Sequence, residues 1–171
     1  IITNHNLGIY NNLLVNNVTV KNIFLRGVYA STGGTFTFTN NTVDNVQADP
    51  GSIAMFNFGG SGSFAGNTVS NANDGIASNH SKGTTYTGNT VTNSGSGIHS
   101  DNNGSSGGTA DLISGNTVMN GAANSYGIFT FAPYLNIIVE DNTLTDLNVA
   151  LASAGSYTPG VTTTFRRNVI D

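Results

Sequence analysis

The segment GNTVSN at residues 66–71, followed by Gly75 and Ile76, contains a pattern that recurs along the chain. The tripeptide Asn-Thr-Val occurs repeatedly, and related copies continue the series toward the C-terminus. These copies begin at Asn41, Asn67, Asn89, Asn116, Asn142 and Asn168. The apolar residue of the motif also has counterparts near the start, at Ile2 and Val20. The anchors Ile2 and Ile170 are 168 residues apart and enclose seven periods of about 24 residues.

Other columns of residues keep the same register. An apolar or aromatic residue precedes each anchor by five positions, at Val15, Phe38, Phe64, Tyr86, Ile113, Val139 and Phe165. A second apolar column, often after Gly, contains Ile9, Val28, Ile53, Ile76, Ile98, Ile128 and Val149. The period is too short for a pair of helices, which needs roughly 33 residues. Alternation with period two around β-branched and aromatic residues is typical of strands. The sequence therefore predicts an all-β solenoid of about seven coils, with three short parallel strands per coil, as a single domain over residues 1–171.

Asparagine recurs in two columns, one two residues before each anchor and one two residues after it. Asn tolerates the left-handed backbone conformation that sharp corners between strands require. Its amide can also bond the same amide in the next coil and so satisfy buried polar groups. We therefore expect both columns to be structural, and we expect the aromatic column around Phe38 and Tyr86 to fill the interior.

The pattern of residues 66–76 resembles the right-handed parallel β-helix repeat of the pectate-lyase-like superfamily, and the resemblance covers essentially the whole chain. It implies a right-handed β-helix. It implies no particular activity, because that superfamily includes lyases, hydrolases, phage tailspikes, adhesins and structural proteins. The chain has no Gly-His-Gly, no Arg-Ile-Lys and no adjacent pair of Asp residues, so no catalytic residue of the enzyme members can be assigned here.

Composition excludes several classes of protein. The chain has only five Lys or Arg residues, too few to neutralise many phosphates, so we expect no nucleic-acid partner. No apolar run approaches the roughly 18 residues of a membrane span. Cysteine is absent, which excludes disulfides and thiolate chemistry. Few charges, many small polar residues and a first residue that is not Met predict an extracellular or cell-surface protein, either processed or excerpted from a longer chain.

The most promising acid–base group combines His99 with Asp101 on one strand. A histidine near a carboxylate can transfer protons or bind a metal. Asp74, Asn79 and Asp101 are weak candidates for a metal site, but too few oxygen ligands are identifiable for Ca²⁺. The alternative is a solvated polar patch beside a Gly-rich loop. We predict no cofactor and no resident metal.

We call the strands that carry the second apolar column the Gly-Ile strands. Aromatic residues are predicted on their outer side, at Tyr10, Tyr29, Phe56, Phe129 and Phe131. Exposed aromatic rings in a line can bind sugar rings or another protein. Alternatively, loops cover them. The sequence leaves both interpretations open.

The two ends carry no polar cap in the sequence pattern, so we expect an assembly interface there. Its residues are Ile1, Ile2, Asn4, Ile9, Asn168, Val169, Ile170 and Asp171. The first hypothesis is a structural subunit that stacks head to tail into a filament or surface fibre, or onto adjoining coils. An adhesin or polysaccharide-binding segment is the second, and a polysaccharide lyase or hydrolase fragment is the third. The register also predicts ion pairs of Glu140 with Arg166 and of Asp141 with Arg167.

Overall fold

The computed structural model describes residues 1–2, 9, 11–31, 33–47, 50–102, 107–131, 133–155 and 158–171. This part of the chain is all-β and forms a parallel β-solenoid of about six turns. The prediction of about seven coils is therefore slightly too high. The class of fold, with its parallel strands, is as the sequence predicts.

Eighteen strands run in chain order through the solenoid. They are β1 (Leu13–Asn16), β2 (Thr19–Ile23), β3 (Arg26–Ser31), β4 (Thr35–Thr39), β5 (Thr42–Val46), β6 (Ile53–Phe58), β7 (Ser61–Ala65), β8 (Thr68–Asn79), β9 (Thr84–Thr87), β10 (Thr90–Asp101), β11 (Asp111–Ser114), β12 (Thr117–Met119), β13 (Tyr126–Phe131), β14 (Ile137–Glu140), β15 (Thr143–Thr145), β16 (Val149–Ser153), β17 (Thr163–Arg166) and β18 (Val169–Ile170). The predicted second and third strands of a coil merge into one 12-residue strand in β8 and in β10.

One sheet contains the aromatic column. Its seven strands lie in the order β1-β4-β7-β9-β11-β14-β17. Phe38, Phe64 and Tyr86 are in register and fully buried, which confirms the predicted interior column. The Phe38 and Phe64 rings lie 5.6 Å apart, and the Phe64 and Tyr86 rings lie 5.3 Å apart and stack. Phe165, in the last strand of this sheet, is 39% exposed.

The second sheet has 11 strands, of which β2, β5, β8, β10, β12, β15 and β18 form a continuous path. The Gly-Ile strands β3, β6, β13 and β16 join it through β8 and β10. Glycine before the apolar anchor is required by close packing between coils. A Cβ on Gly75 would lie 2.5 Å from Val91 Cγ1 and 2.6 Å from the Gly97 carbonyl oxygen.

The inner asparagine column forms the predicted ladder. Each amide nitrogen donates to the amide oxygen of the next coil, at 2.8–3.1 Å, from Asn41 through Asn67, Asn89, Asn116 and Asn142 to Asn168. Each oxygen also accepts a backbone N–H, as Asn116 Oδ1 does from Asn89 at 2.9 Å. These side chains satisfy buried polar groups in every coil, as an interior without water requires.

The outer asparagine column forms left-handed corners, again as predicted. The backbone φ of Asn45 is 61°, that of Asn71 is 57° and that of Asn93 is 49°. A second row of left-handed corners lies before the buried ladder and includes Asn40, Gly66 and Gly88. The two columns of asparagine therefore have different structural roles although the residue type is the same.

The N-terminus differs from its prediction. Ile2 pairs with Tyr29 of a Gly-Ile strand. The sequence pattern had instead aligned Ile2 with Val20, in the strand that carries the Asn-Thr-Val motif (the Thr-Val strand). The backbone of Ile1 supports this pairing, since its carbonyl accepts from the Tyr29 N–H at 2.8 Å. The interval of 18 residues from Ile2 to Val20 is too short to close a coil. Ile2 and Ile170 consequently pair with different kinds of strand, and the coil count falls.

Two further anchors are out of register by two residues. Val28 pairs with Met55, which moves the predicted anchor Ile53 to a position beside Arg26. Ile128 pairs with Leu151, and Val149 pairs with Tyr126. A shift of two residues preserves the alternation of a strand, so the apolar pattern alone does not detect it.

The predicted ion pairs at the C-terminal end are confirmed. Arg166 Nε lies 2.5 Å from Glu140 Oε2, and Arg167 Nε lies 2.8 Å from Asp141 Oδ1. Arg167 also reaches Glu140, at 2.8 Å. Hydrogen bonding to Arg167 lowers the pKa of Asp141.

Candidate functional site

We define the aromatic face as the outer side of β3, β6, the second halves of β8 and β10, β13 and β16. One column across it contains residues in register from coil to coil: Tyr29, Phe56, Ala77, His99, Phe129 and Ala152. Phe56 and Ala77, with Ile53 and Tyr29, form an apolar cluster separate from the solenoid core. The side chain changes in almost every coil, in contrast to the asparagine ladder.

The first group of rings on this face is built on β3 and β6. The rings of Tyr29 and Phe56 stack with their centroids 4.9 Å apart. The Arg26 guanidinium lies over the Phe56 ring, 5.4 Å from its centroid, and donates to the Gly51 carbonyl. Phe58, which is 37% exposed, continues the row beside Phe56. Phe56 is itself only 6% exposed and Tyr29 is half-buried, so Phe58 is the exposed ring of this group.

The second group of rings lies on β10 and β13. His99 and Phe129 are in register and their centroids are 5.1 Å apart. Phe129 also contacts Tyr126 at 5.6 Å and Phe131 at 6.0 Å. Tyr126 is 41% exposed and Phe131 is 38% exposed. The predicted aromatics Tyr29, Phe129 and Phe131 therefore share one face, whereas Tyr10 lies outside the described residues.

His99 of the second group also forms an ionisable pair with Asp74. Burial lowers the pKa of His99 below its ordinary value of 6.5, and the carboxylates of Asp74 and Asp101 oppose this shift. Burial raises the pKa of Asp74, and His99, a hydrogen bond from Ser96 and Arg26 oppose that shift. Both shifts disfavour the charged forms. The middle of the face therefore combines a neutral imidazole with a carboxyl group that ionises reluctantly.

The predicted acid–base residues are closer to the interior than a solvated patch would be. Asp101 is only 8% exposed and is in register with Phe131. Nε2 of His99 is buried and has no hydrogen-bond partner in the described part of the chain. Asn79 is half-buried and pairs in register with Phe58. Asp74, which the sequence offered only as a weak metal candidate, affects the pKa of His99 more strongly than Asp101 does.

A buried carboxylate that the sequence analysis missed lies at Asp111, in the first position of β11. It accepts hydrogen bonds from Thr84 N at 2.7 Å, Ser100 Oγ at 2.7 Å, Ser81 Oγ at 3.1 Å and Asn102 Nδ2 at 3.3 Å. Burial raises its pKa although these bonds oppose the shift. The available signal was an Asp at the start of a strand, next to the longest loop. Because its acceptor sites are used by the protein, this residue is structural.

A groove that the sequence analysis also missed lies at the corner between the Thr-Val and Gly-Ile strands. It has a volume of about 350 Å³ and its walls include Val46, Gln47, Asn73, Asn93, Ala122 and Ala123. Asn73 directly precedes Asp74, so the groove adjoins the aromatic face along the chain. Small residues on one wall and amides on the other cannot be recognised as a groove without the register of the coils.

The predicted assembly residues are exposed where they are described. Ile1 is 53% exposed, Ile2 64% and Ile9 68%, while Val169 is 60% and Ile170 58% exposed. Asn168 Oδ1 accepts from Asn142, and the Asp171 backbone bonds to Leu144. Asn4 lies outside the described residues. The assembly interface stays a prediction.

The fold and its repeated asparagine corners define a parallel β-helix protein without the signature of a particular enzyme family. A family described as "Periplasmic copper-binding protein (NosD)" matches residues 49–170, more than half of the chain. The chain therefore belongs to the NosD family. No curated protein and no solved structure matches it significantly.

The residues that the structure describes do not fit a copper site. Within them, no group of three His, Cys, Asp or Glu side chains is close enough to hold a metal ion. Copper(I) favours thiolate and thioether ligands. The chain has no Cys, and its two Met residues lie on different strands, Met55 fully buried on β6 and Met119 half-buried on β12. His80 contacts the edge of Phe58, and His5 lies outside the described residues.

No helix in the described part of the chain is long and apolar enough to cross a membrane.

Proposed function

We propose that this protein is a saccharide-binding β-solenoid whose aromatic face contacts a polysaccharide chain. The observation that carries the proposal is the row of aromatic side chains across successive coils. Tyr29 and Phe56 stack at one end, and Tyr126, Phe129 and Phe131 cluster at the other. Aromatic rings present an apolar surface with a polar edge, which suits the C–H faces of sugar rings.

The repeat of the solenoid supports a linear ligand. Coils stack at the spacing of strands, roughly 4.8 Å, so equivalent side chains form a straight row. The exposed rings of this face, with 37–41% of their surface accessible, flank that row and are Phe58, Tyr126 and Phe131. A polymer lying along the coils would contact several rings at once. Multiple weak contacts of this kind give useful affinity through effective concentration.

Charge on the face favours a neutral polysaccharide. Asp74 and Asp101 lie near the middle of the face, beside His99. Acidic side chains at this place disfavour a polyuronate, and the chain as a whole has a formal net charge of −4. Hydroxyl groups of a neutral sugar can donate to the same carboxylates without that penalty. The proposal includes no catalytic step, since the Nε2 atom that a base would use is buried.

We also propose a location outside the cytoplasm. The description of the matching family places its members in the periplasm. A surface made mostly of small polar residues, and the absence of cysteine, are compatible with this location.

The experiment is a comparison of polysaccharide binding between the wild type and a double variant, Tyr126→Ala with Phe131→Ala. Affinity electrophoresis in neutral β-glucan, mannan and polygalacturonate gels measures retardation. We expect retardation by at least one neutral polymer, and a loss of about tenfold or more in the double variant. A matched control, Phe24→Ala, removes a ring that is 73% exposed but lies off the face. Retardation by none of the neutral polymers, or equal retardation of the double variant, would overturn the proposal.

Head-to-tail assembly is the second proposal. Val169 and Ile170 are 60% and 58% exposed, whereas Leu144, the register partner of Ile170, is fully buried. A further coil at this position would bury the same surface, whether a second copy or adjoining sequence provides it. Electron microscopy of wild type and Ile170→Lys tests the self-assembly form: filaments that disappear in the variant support it, and unassembled wild-type particles contradict it.

A further inference from the structure

The corner groove has features of a separate ligand site that neither the fold nor the aromatic face requires. Its volume of about 350 Å³ is at the lower end of the range for small-molecule sites, roughly 300–1,000 Å³. Among the described residues, its walls contain no charged side chain. A ligand of one or two sugar rings fits such a volume.

Unused amide oxygens give the groove its chemistry. The Asn73 amide nitrogen donates to the Pro50 carbonyl at 2.6 Å, and the Asn93 amide nitrogen donates to Asn71 Oδ1 at 2.6 Å. The amide oxygens of Asn73 and Asn93 accept no hydrogen bond within the described residues. Both amides are thus held in place by their nitrogens, and their oxygens remain as acceptors for a ligand N–H or O–H.

Small residues keep the groove open. A Cβ on Gly95 would lie 3.2 Å from Asn73 Oδ1, so a larger residue there would crowd this oxygen. Ala122 and Ala123 form the neighbouring part of the wall. Val46 and Ala72 are buried apolar residues that also line the groove. Acceptor oxygens therefore stand beside a small apolar surface.

We propose that the groove binds the acetamido group of an N-acetylated sugar. The N–H of the acetamido group would donate to the Asn73 or Asn93 oxygen, and its methyl group would pack against Val46 and Ala72. Gln47, which also lines the groove, offers an amide to the acetamido carbonyl. A sugar that lacks the acetamido group would make neither these hydrogen bonds nor the methyl contact, so we expect it to bind more weakly.

The test is an NMR titration of the ¹⁵N-labelled chain with N,N′-diacetylchitobiose, with cellobiose as the matched ligand that lacks acetamido groups. We expect diacetylchitobiose to shift the side-chain amide signals of Gln47, Asn73 and Asn93, with cellobiose weaker by about tenfold. Ala123→Glu should abolish the shifts by filling the groove. Ala65→Glu, a substitution in a different sheet, should retain them.

The outcomes separate this inference from the polysaccharide proposal. No shift with diacetylchitobiose, equal affinity for cellobiose, or shifts that persist in Ala123→Glu would each overturn the groove assignment. The Tyr126→Ala, Phe131→Ala double variant should bind diacetylchitobiose in the groove unchanged, since neither ring lines it. Failure of the aromatic face therefore leaves this assignment standing, and the converse also holds.

Discussion

The asparagine ladder and the aromatic face are built from the same coils but follow opposite rules. In the ladder, the residue from Asn41 to Asn168 is the same in every coil, and each amide repeats the same bonds. On the aromatic face, the column from Tyr29 to Ala152 changes in almost every coil. Stacking needs repetition, because each amide must match the one above it. A face whose side chains do not repeat is free to match something other than the next coil.

The largest effect we expect comes from breaking the ladder. Asn89→Ala would remove the partners of the Phe64 carbonyl and the Asn67 backbone N–H in the interior. The Asn67 amide nitrogen and the Asn116 amide oxygen would each lose one hydrogen bond. We expect a loss of about 4 kcal/mol in the free energy of unfolding, measured by urea denaturation. Asn93→Gly is the matched control, because glycine accepts its φ of 49° and the side chain is exposed. Equal losses for the two variants would contradict the distinction between the columns.

The second largest effect is expected at Asp111, a buried carboxylate that does not recur at the same position of the next coil. Asp111→Ala removes the acceptor for Thr84, Ser81, Ser100 and Asn102. We expect a loss of about 3 kcal/mol, smaller than for Asn89 because removing a buried carboxyl also removes its desolvation cost. Urea denaturation at neutral pH measures it. An unchanged midpoint would show that these donors find other partners.

Repetition also explains what the sequence could predict. The ladder, the left-handed asparagine corners and the buried aromatic column follow from residues that recur in each coil. Ile2 was misplaced because its interval of 18 residues is not a full coil, and Ile53 because a shift of two preserves the apolar alternation. The ion pair of Glu140 with Arg166 could be predicted from the alignment of adjacent coils alone, and that alignment is correct at this end.

The candidate site could be predicted only in part. Tyr29, Phe129 and Phe131 were identified because aromatic residues at outward positions are visible in the pattern. The nearness of Asp74 to His99 was missed because they lie in different coils and at different strand positions. The groove was missed because it is the space left by small residues, Gly95, Ala122 and Ala123. A repeat pattern in a sequence does not show such a space.

A smaller effect concerns the dependence of stability on pH. Because burial lowers the pKa of His99 in the folded state, the unfolded chain takes up a proton first as the pH falls below about 6.5. This term therefore reduces the free energy of unfolding progressively from pH 7 toward acid. His99→Phe, which introduces the residue that the next coil carries at Phe129, should give a flatter profile over the same range. Parallel profiles in urea denaturation would exclude a lowered pKa of His99.

The smallest effect belongs to the charged end. Arg166→Ala removes the pair with Glu140, in which the Arg side chain is 51% exposed. Exposed ion pairs contribute little because water and salt screen them. We expect a barely measurable change in the urea midpoint, reduced further at high salt. A change as large as that of Asn89→Ala would mean that this end is held together by charge.

The most direct test of the account maps a bound ligand onto the two regions. Backbone amide signals of the ¹⁵N-labelled chain would be followed while oligosaccharides from the retained neutral polymer are added. We predict that the backbone amide signals of β6, β13 and the second halves of β8 and β10 shift. We predict no shift along the ladder from Asn41 to Asn168. Shifts centred on the ladder side, or no shifts on β13, would contradict the claim that the non-repeating face is the binding face.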